Sequence, residues 1–181
     1  MLCNTILSDG VISLRDIEFA DCGEYYLRWL QDENVNRFLE TRWKEQSMET
    51  IREFVETTRQ SSHSVLFAIT LQENGKHIGN IKIGPISPYY HCADISYFIG
   101  ESDCWGKGYA TRAIVLASDY AFQKLQLHRV QAGAFDENVA SIRALEKASF
   151  VEDGRLREQL ISPITGKYVD HVIMGKINPY A

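Results

Sequence analysis

Two β-rich runs closed by an Asn-Gly turn constrain this chain more than any other feature: "SVLFAITL" (64–71) and "HIGNIKIG" (77–84) around "QENGK". β-Branched and aromatic residues fill both runs, and Asn-Gly supplies the positive φ angles of a tight hairpin turn. A third such run, "ADISYFIG" (93–100), follows "GPISPYYHC", which reads as a loop from its prolines and glycine. Successive strands without crossover helices exclude a doubly wound parallel sheet.

The remaining periodicities fill in the order. "GVISLRDIE" alternates as a first strand. Asp21 is placed to cap a helix with Tyr26, Leu27 and Leu30 on its apolar side, and Ser47 to cap a second one. Met48, Ile51, Phe54, Val55 and Thr58 share one face of that second helix. Ala110, Ala113, Ile114, Ala117 and Ala121 mark a third helix with a small-residue face. "RVQAGAF" is a fifth strand, and "NVASIRALEKA" a helix turning Ile142, Leu145 and Ala148 inward. "EDGRLREQLI" and "YVDHVIMGKI" close the chain as strands around "SPITGK". The order β-α-α-β-β-β-α-β-α-β-β is that of an α+β fold. With 181 residues and no repeat or linker, the whole of 1–181 reads as one domain.

Composition removes several function classes. A formal charge of −5 argues against nucleic acid as a partner. No stretch approaches the roughly 18 uninterrupted apolar residues of a membrane span. "MLCNTILSDGVISL" lacks a basic leader region and a cleavage site, so the expected location is cytoplasmic. Cys3, Cys22, Cys92 and Cys104 form no C-x-x-C pair, and the five histidines no H-x-x-x-H pair. No metal is expected, since His91 and Cys92 alone cannot build a tetrahedral site.

One stretch carries chemistry. "DCWGKGYATRAI" (103–114) puts Gly106, Lys107 and Gly108 ahead of the third helix. Helix N-termini present unpaired N–H groups, glycines let an anion approach the backbone, and lysine adds charge. A plain tight turn fits the same residues. The spacing is neither that of a P-loop, with one residue between the glycines, nor that of a dinucleotide fingerprint, with Thr111 at the sixth position.

In context, "ADISYFIGESDCWGKGYATRAI" resembles the acetyl-CoA-binding segment of the Gcn5-related N-acetyltransferase (GNAT) superfamily. There a strand feeds an R/Q-x-x-G-x-G/A loop at the start of a long helix. Gly108 and Ala110 match the small positions, while Trp105 stands where Arg or Gln is usual. "WGKGYAT", "WLQDENVNRFLE" and "HRVQAGAFDENVASIRALEKASF" look like the RimJ/RimL-type branch. The resemblance implies a mixed, mostly antiparallel central sheet of about seven strands flanked by about four helices. It implies acetyl-CoA as donor and direct transfer to an amine. The acceptor would be a protein N-terminus of the ribosomal-protein alanine type or, alternatively, a small amine or nucleotide-linked amino sugar. A reading of another class is a non-catalytic acyl-CoA sensor. The assembly expected is a monomer or homodimer.

Carried onto this chain, the resemblance gives the pyrophosphate to the backbone of Trp105, Gly106, Lys107, Gly108, Tyr109 and Ala110. Phe98 and Ile99 would pair with the pantetheine arm, and Asn138 and Ser141 would lie near the thioester. Asp94 stands where a glutamate base occurs in "A-E-I", one methylene short, with Glu40 and His91 as rival bases. Many GNAT enzymes carry an acid tyrosine seven residues after the asparagine; that position is Leu145, and Ser141 is the replacement candidate. Ser149 stands where glycine is usual and so takes on a left-handed backbone cost. Arg37, Glu40, Arg42, Trp43, Tyr89, Tyr90 and His91 would line the acceptor side. Cys104 reads as inert.

Overall fold

The Asn-Gly hairpin forms as the sequence predicts: β3 (Val65–Leu71) and β4 (His77–Ser87) pair antiparallel, and Gly75 sits at φ 70° in the turn. β5 (Cys92–Ile99) adds to the other edge of β4. The computed structural model describes residues 6–180, so Cys3 and the first residues of the stretch "MLCNTILSDGVISL" lie outside the described residues. β1 (Ile6–Ser8) and β2 (Ile12–Asp16) precede the hairpin; β6 (Arg129–Phe135), β7 (Val151–Ile161) and β8 (Tyr168–Ile177) follow it. All eight form one sheet in the order β1-β2-β3-β4-β5-β6-β8-β7. Every neighbouring pair is antiparallel except β5–β6.

The five α-helices are α1 (Glu24–Gln31), α2 (Glu33–Asn36), α3 (Met48–Gln60), α4 (Tyr109–Gln123) and α5 (Val139–Lys147). Two cores result. One face of the sheet packs on α4 and α5 through Ile69, Ile81, Ile95, Ala113, Ile114, Ala117 and Leu145. The small-residue stripe of α4 is what lets that helix lie close to the strands. The other face packs on α1 and α3 through Ile17, Trp29, Leu30, Ile51, Val55 and Ala68.

The expected mixed, mostly antiparallel sheet forms, with eight strands and five α-helices among the described residues where about seven and about four were expected; the short β1 and α2 are the additions. Three expectations need correction. Asp21 does not cap α1; Gly23 holds that position, and Arg15 takes the Asp21 carboxylate with two bonds of 2.6 Å. Gly84 to Ser87 belongs to β4 rather than to a loop, continuing past an irregular register between Ile83 and Ile86. On α3 the Ser47 cap forms, with Thr50 completing a capping box, and Ile51, Val55 and Thr58 are buried, but Phe54 is exposed. Ser149 adopts φ 66° after α5, the left-handed geometry the sequence predicts there.

Candidate active site

The parallel pairing of β5 and β6 covers three residue pairs, Cys92–Arg129, Ala93–Val130 and Asp94–Gln131. Beyond Asp94 the strands diverge. β5 runs on to Ile99 paired with β4 alone, and β6 runs on to Phe135 paired with β8 alone. A wedge therefore opens in the sheet with its vertex at Asp94 and Gln131. Peptide groups facing it have no strand partner, so an extended ligand can supply one.

At the vertex, Gln131 Nε2 donates to Asp94 Oδ1 at 2.8 Å. Alternation sends Ala93 and Ile95 into the α4 core and Phe98 into the opposite one, so Asp94 shares the α1–α3 face with Phe98. Down β6, Gln131, Gly133 and Phe135 occupy that same face, since Val130 and Ala132 go to the α4 core. The segment after α2 closes over this arm: the Phe38 ring meets Phe135 at 5.3 Å, and the Arg42 guanidinium lies 5.0 Å from Phe135 and 4.5 Å from Trp43. Arg37 turns back to hydrogen-bond Asn34. His171 of β8 lies against Gly133, where a Cβ would meet the imidazole at 2.0 Å. Its Nδ1 is 2.7 Å from Gln159 Oε1 and so carries the proton, because an amide oxygen only accepts. Partial burial pushes the His171 imidazole below its ordinary pKa and so favours the neutral ring, while the Glu40 carboxylate pulls the other way.

At the far end of β5, the glycine loop takes the shape that the motif requires. Gly106 has φ 72° and Gly108 φ 81°, and no atom lies within 4 Å of a Cβ placed on either. Gly108 is the N-cap of the fifteen-residue α4, and no side chain caps that helix. Its first-turn N–H groups therefore remain available to an anion, beside the exposed Lys107. Trp105, at the position where Arg or Gln is usual, donates its indole N–H to the Ile99 carbonyl at 2.8 Å and so ties the loop to the strand end. Trp29 packs on Gly100 and donates to Glu101 at 2.8 Å, which fixes the same turn from the α1 side. These residues fit a CoA pyrophosphate, with Phe98 and Ile99 at the wedge edge beside them.

Across the wedge, Asn138 caps α5 and accepts from the Ser141 N–H at 3.3 Å. The Tyr97 hydroxyl reaches over from β5 to within 2.8 Å of Ser141 Oγ. Leu145, one turn on, is fully buried in the core. Burial raises the Cys104 thiol above its ordinary pKa, assisted by Asp103, so no thiolate is favoured there.

The structure does not bring all the acceptor candidates together. Glu40, Arg42 and Trp43 stand at the wedge arm. Tyr89, Tyr90 and His91 turn at the start of β5, about 20 Å along the strand from the glycine loop at its end. Tyr89 is exposed, and Tyr90 and His91 line a groove with Phe122, Leu127, His128 and Tyr180. Residues absent from the sequence reading are Gln131, Tyr97, Phe38, Gln159 and His171 in this role. A polar group on one of the two strands that flank the wedge was the available signal for Gln131 and Tyr97. For Gln159 there was none, because β7 carries extra residues between Leu156 and Leu160 that only the register reveals. Among the described residues no cluster of three or more His, Cys, Asp or Glu is arranged to hold a metal ion, and no helix is long and apolar enough to cross a membrane.

Comparison with known proteins agrees with this geometry. Residues 12–151 match the family model described as an acetyltransferase (GNAT) domain. The chain is 36% identical over 114 residues to the probable N-acetyltransferase YjcK of Bacillus subtilis, a match spanning 62% of this chain and 61% of that protein's length. It is 29% identical over 161 residues to the spermidine N(1)-acetyltransferase of Vibrio cholerae, covering 88% of each chain. Among solved structures, spermidine N-acetyltransferase from Vibrio cholerae in complex with CoA and spermine superposes with a TM-score of 0.82 at 23% identity, over 94% of this chain and 97% of that one. Ribosomal-protein-S5-alanine acetyltransferase from Vibrio fischeri gives 0.78 at 20% identity, over 98% of each. Wedge, glycine loop and family model coincide: the chain belongs to the GNAT acetyltransferase family, whose donor is acetyl-CoA.

Proposed function

We propose that this protein is an acyltransferase that moves acetyl from acetyl-CoA directly to the nitrogen of a primary amine. The observation that carries the reading is the wedge, with the uncapped α4 N-terminus at the end of β5 and Asp94 at its vertex. The loop Trp105 to Ala110 holds the pyrophosphate. Phe98 and Ile99 offer backbone groups to the pantetheine arm, and the thioester lies between Asp94 and Ser141. The acceptor enters from the α1–α3 face. The negative charges of Asp94 and Glu40 attract its ammonium, and Asp94 receives the proton through a relaying water. Orientation of two reactants in one cleft is the larger part of the rate gain, and no metal is called on.

For the acceptor, the RimJ/RimL-type motif "WGKGYAT" supports a protein N-terminus beginning with alanine. A small polyamine is the second reading, favoured by the Vibrio cholerae relative aligned along 88% of its length and by the carboxylates at the wedge. The test is thiol release from acetyl-CoA with alanine-initiated peptides, with spermidine and spermine, and with amino-sugar nucleotides. Turnover restricted to one class assigns the acceptor. CoA binding with no turnover on any amine supports the acyl-CoA sensor and sinks the acetyltransferase reading.

A further inference from the structure

In the Tyr97–Ser141 contact a side chain of β5 reaches α5, the helix that follows β6, across the gap where backbone pairing has ended. Tyr97 sits three residues past the vertex, packed against the α4 core, while its hydroxyl lies 2.8 Å from Ser141 Oγ and 3.2 Å from the Ser141 carbonyl oxygen. Ser141 is gripped twice, since Asn138 Oδ1 accepts from its N–H. A serine one turn into a helix ordinarily gives its proton to a backbone carbonyl of the preceding turn. Here the Ser141 carbonyl can only accept from the phenol, and in the shorter contact either hydroxyl can be the donor, so Oγ has the phenol available as one. With the phenol donating to Oγ, the serine's own proton is free to point into the wedge.

We infer that Tyr97 is a positioning residue that acts through Ser141, orienting the serine hydroxyl to donate a hydrogen bond to the departing CoA sulfur. This rests on the acetyltransferase reading of the site. It also accounts for Leu145: the hydroxyl that an α5 tyrosine would bring enters from the neighbouring strand, and position 145 is left to the core. The step balances. The acceptor ammonium gives one proton to the Asp94 side and from there to solvent. Its nitrogen bonds the thioester carbon, the carbon–sulfur bond breaks with its electron pair on sulfur, and the nitrogen's second proton goes to that sulfur. Ser141 and Tyr97 end with the protons they began with, so their part is to stabilise charge building on sulfur. Chained hydrogen bonds polarise one another, which strengthens the serine as a donor.

The phenol suits that part. Burial pushes it up to about 12, with the Ser141 hydrogen bond opposing. It stays protonated throughout the working pH range.

The experiment compares Tyr97→Phe, Ser141→Ala and the double variant with wild type, using the amine of highest turnover. Tyr97→Phe is expected to lower kcat roughly tenfold, the loss of one net hydrogen bond. Ser141→Ala is expected to lower it roughly a hundredfold. The double variant should be no slower than Ser141→Ala, and acetyl-CoA affinity by calorimetry should hold in all three. A fluorinated tyrosine incorporated at 97 keeps the shape but has a more acidic phenol. It should bring a basic limb into the pH–kcat profile where wild type has none, and it gives the answer should Tyr97→Phe not fold. Full kcat in Tyr97→Phe, losses that multiply in the double variant, or an unmoved pH profile with fluorotyrosine would each overturn the inference while wild-type turnover keeps the acetyltransferase reading. Wild type inactive on every amine removes both.

Discussion

Asp94 tests how far one residue can be read from its type and neighbours. It stands at the last pair of the parallel ladder and accepts from Gln131 at 2.8 Å, so its carboxylate is aimed rather than loose on an exposed strand. Asp94→Asn retains an oxygen for Gln131 and removes only the charge. The expected outcome is kcat/KM for the amine down by roughly two orders of magnitude, as for loss of a general base, with acetyl-CoA affinity unchanged. A variant at wild-type rate would return Asp94 to a structural role. "A-D-I" located this residue in the sequence, but not Gln131, thirty-seven positions away. The partner exists only because β5 and β6 lie parallel for three pairs, and no local pattern records where a parallel pairing stops.

At the scale of elements, the glycine loop and α4 were legible because their rules are local. Positive φ favours glycine, and a helix start leaves N–H groups with no partner inside the helix. Gly108 and Gly166 separate backbone from ligand. Both have positive φ, 81° and 70°, and neither has an atom within 4 Å of an added Cβ. Alanine at either costs about 1 kcal/mol of backbone strain, a fall in Tm of about 2–4 °C. Gly108→Ala alone puts a methyl group where the pyrophosphate would approach. It should weaken acetyl-CoA binding roughly tenfold by calorimetry, whereas Gly166→Ala, in the β7–β8 turn, should leave it unchanged. Equal weakening in both would mean that the loop is only a turn. β1, the β4 extension through Pro85 and the extra residues in β7 were illegible for the opposite reason. Each is held by a neighbouring strand rather than by its own propensity.

Over the whole molecule, the two cores meet the sheet from opposite faces, and a polar cluster is buried between α1 and the hairpin. The His77 imidazole is almost wholly enclosed, with Nε2 2.8 Å from Asn80 Oδ1 and 2.9 Å from the Gly79 carbonyl, and with the Trp29 and Tyr25 rings edge-on around it. Burial drives its pKa below the ordinary value. The Asn80 bond and the Asp21 carboxylate 3.6 Å away oppose that, and Arg15 acts with burial while it holds Asp21. The folded chain therefore refuses a proton that the unfolded chain accepts. Between the lowered folded value and the unfolded value near 6.5, the unfolded state binds more protons, so stability must rise with pH. His171, also lowered, adds the same sign. Unfolding free energy from urea titrations should accordingly hold near pH 7.5 and fall as pH drops through about 6.5, by at most about 1.4 kcal/mol per pH unit for each such group. His77→Gln lowers stability at every pH, because a buried network loses its fitted partner, but the pH slope should flatten. That slope, rather than the loss itself, is the reading that identifies His77. A wild-type chain equally stable at pH 7.5 and 5.5, or a His77→Gln slope as steep as wild type, would show that the cluster admits a proton in the folded state.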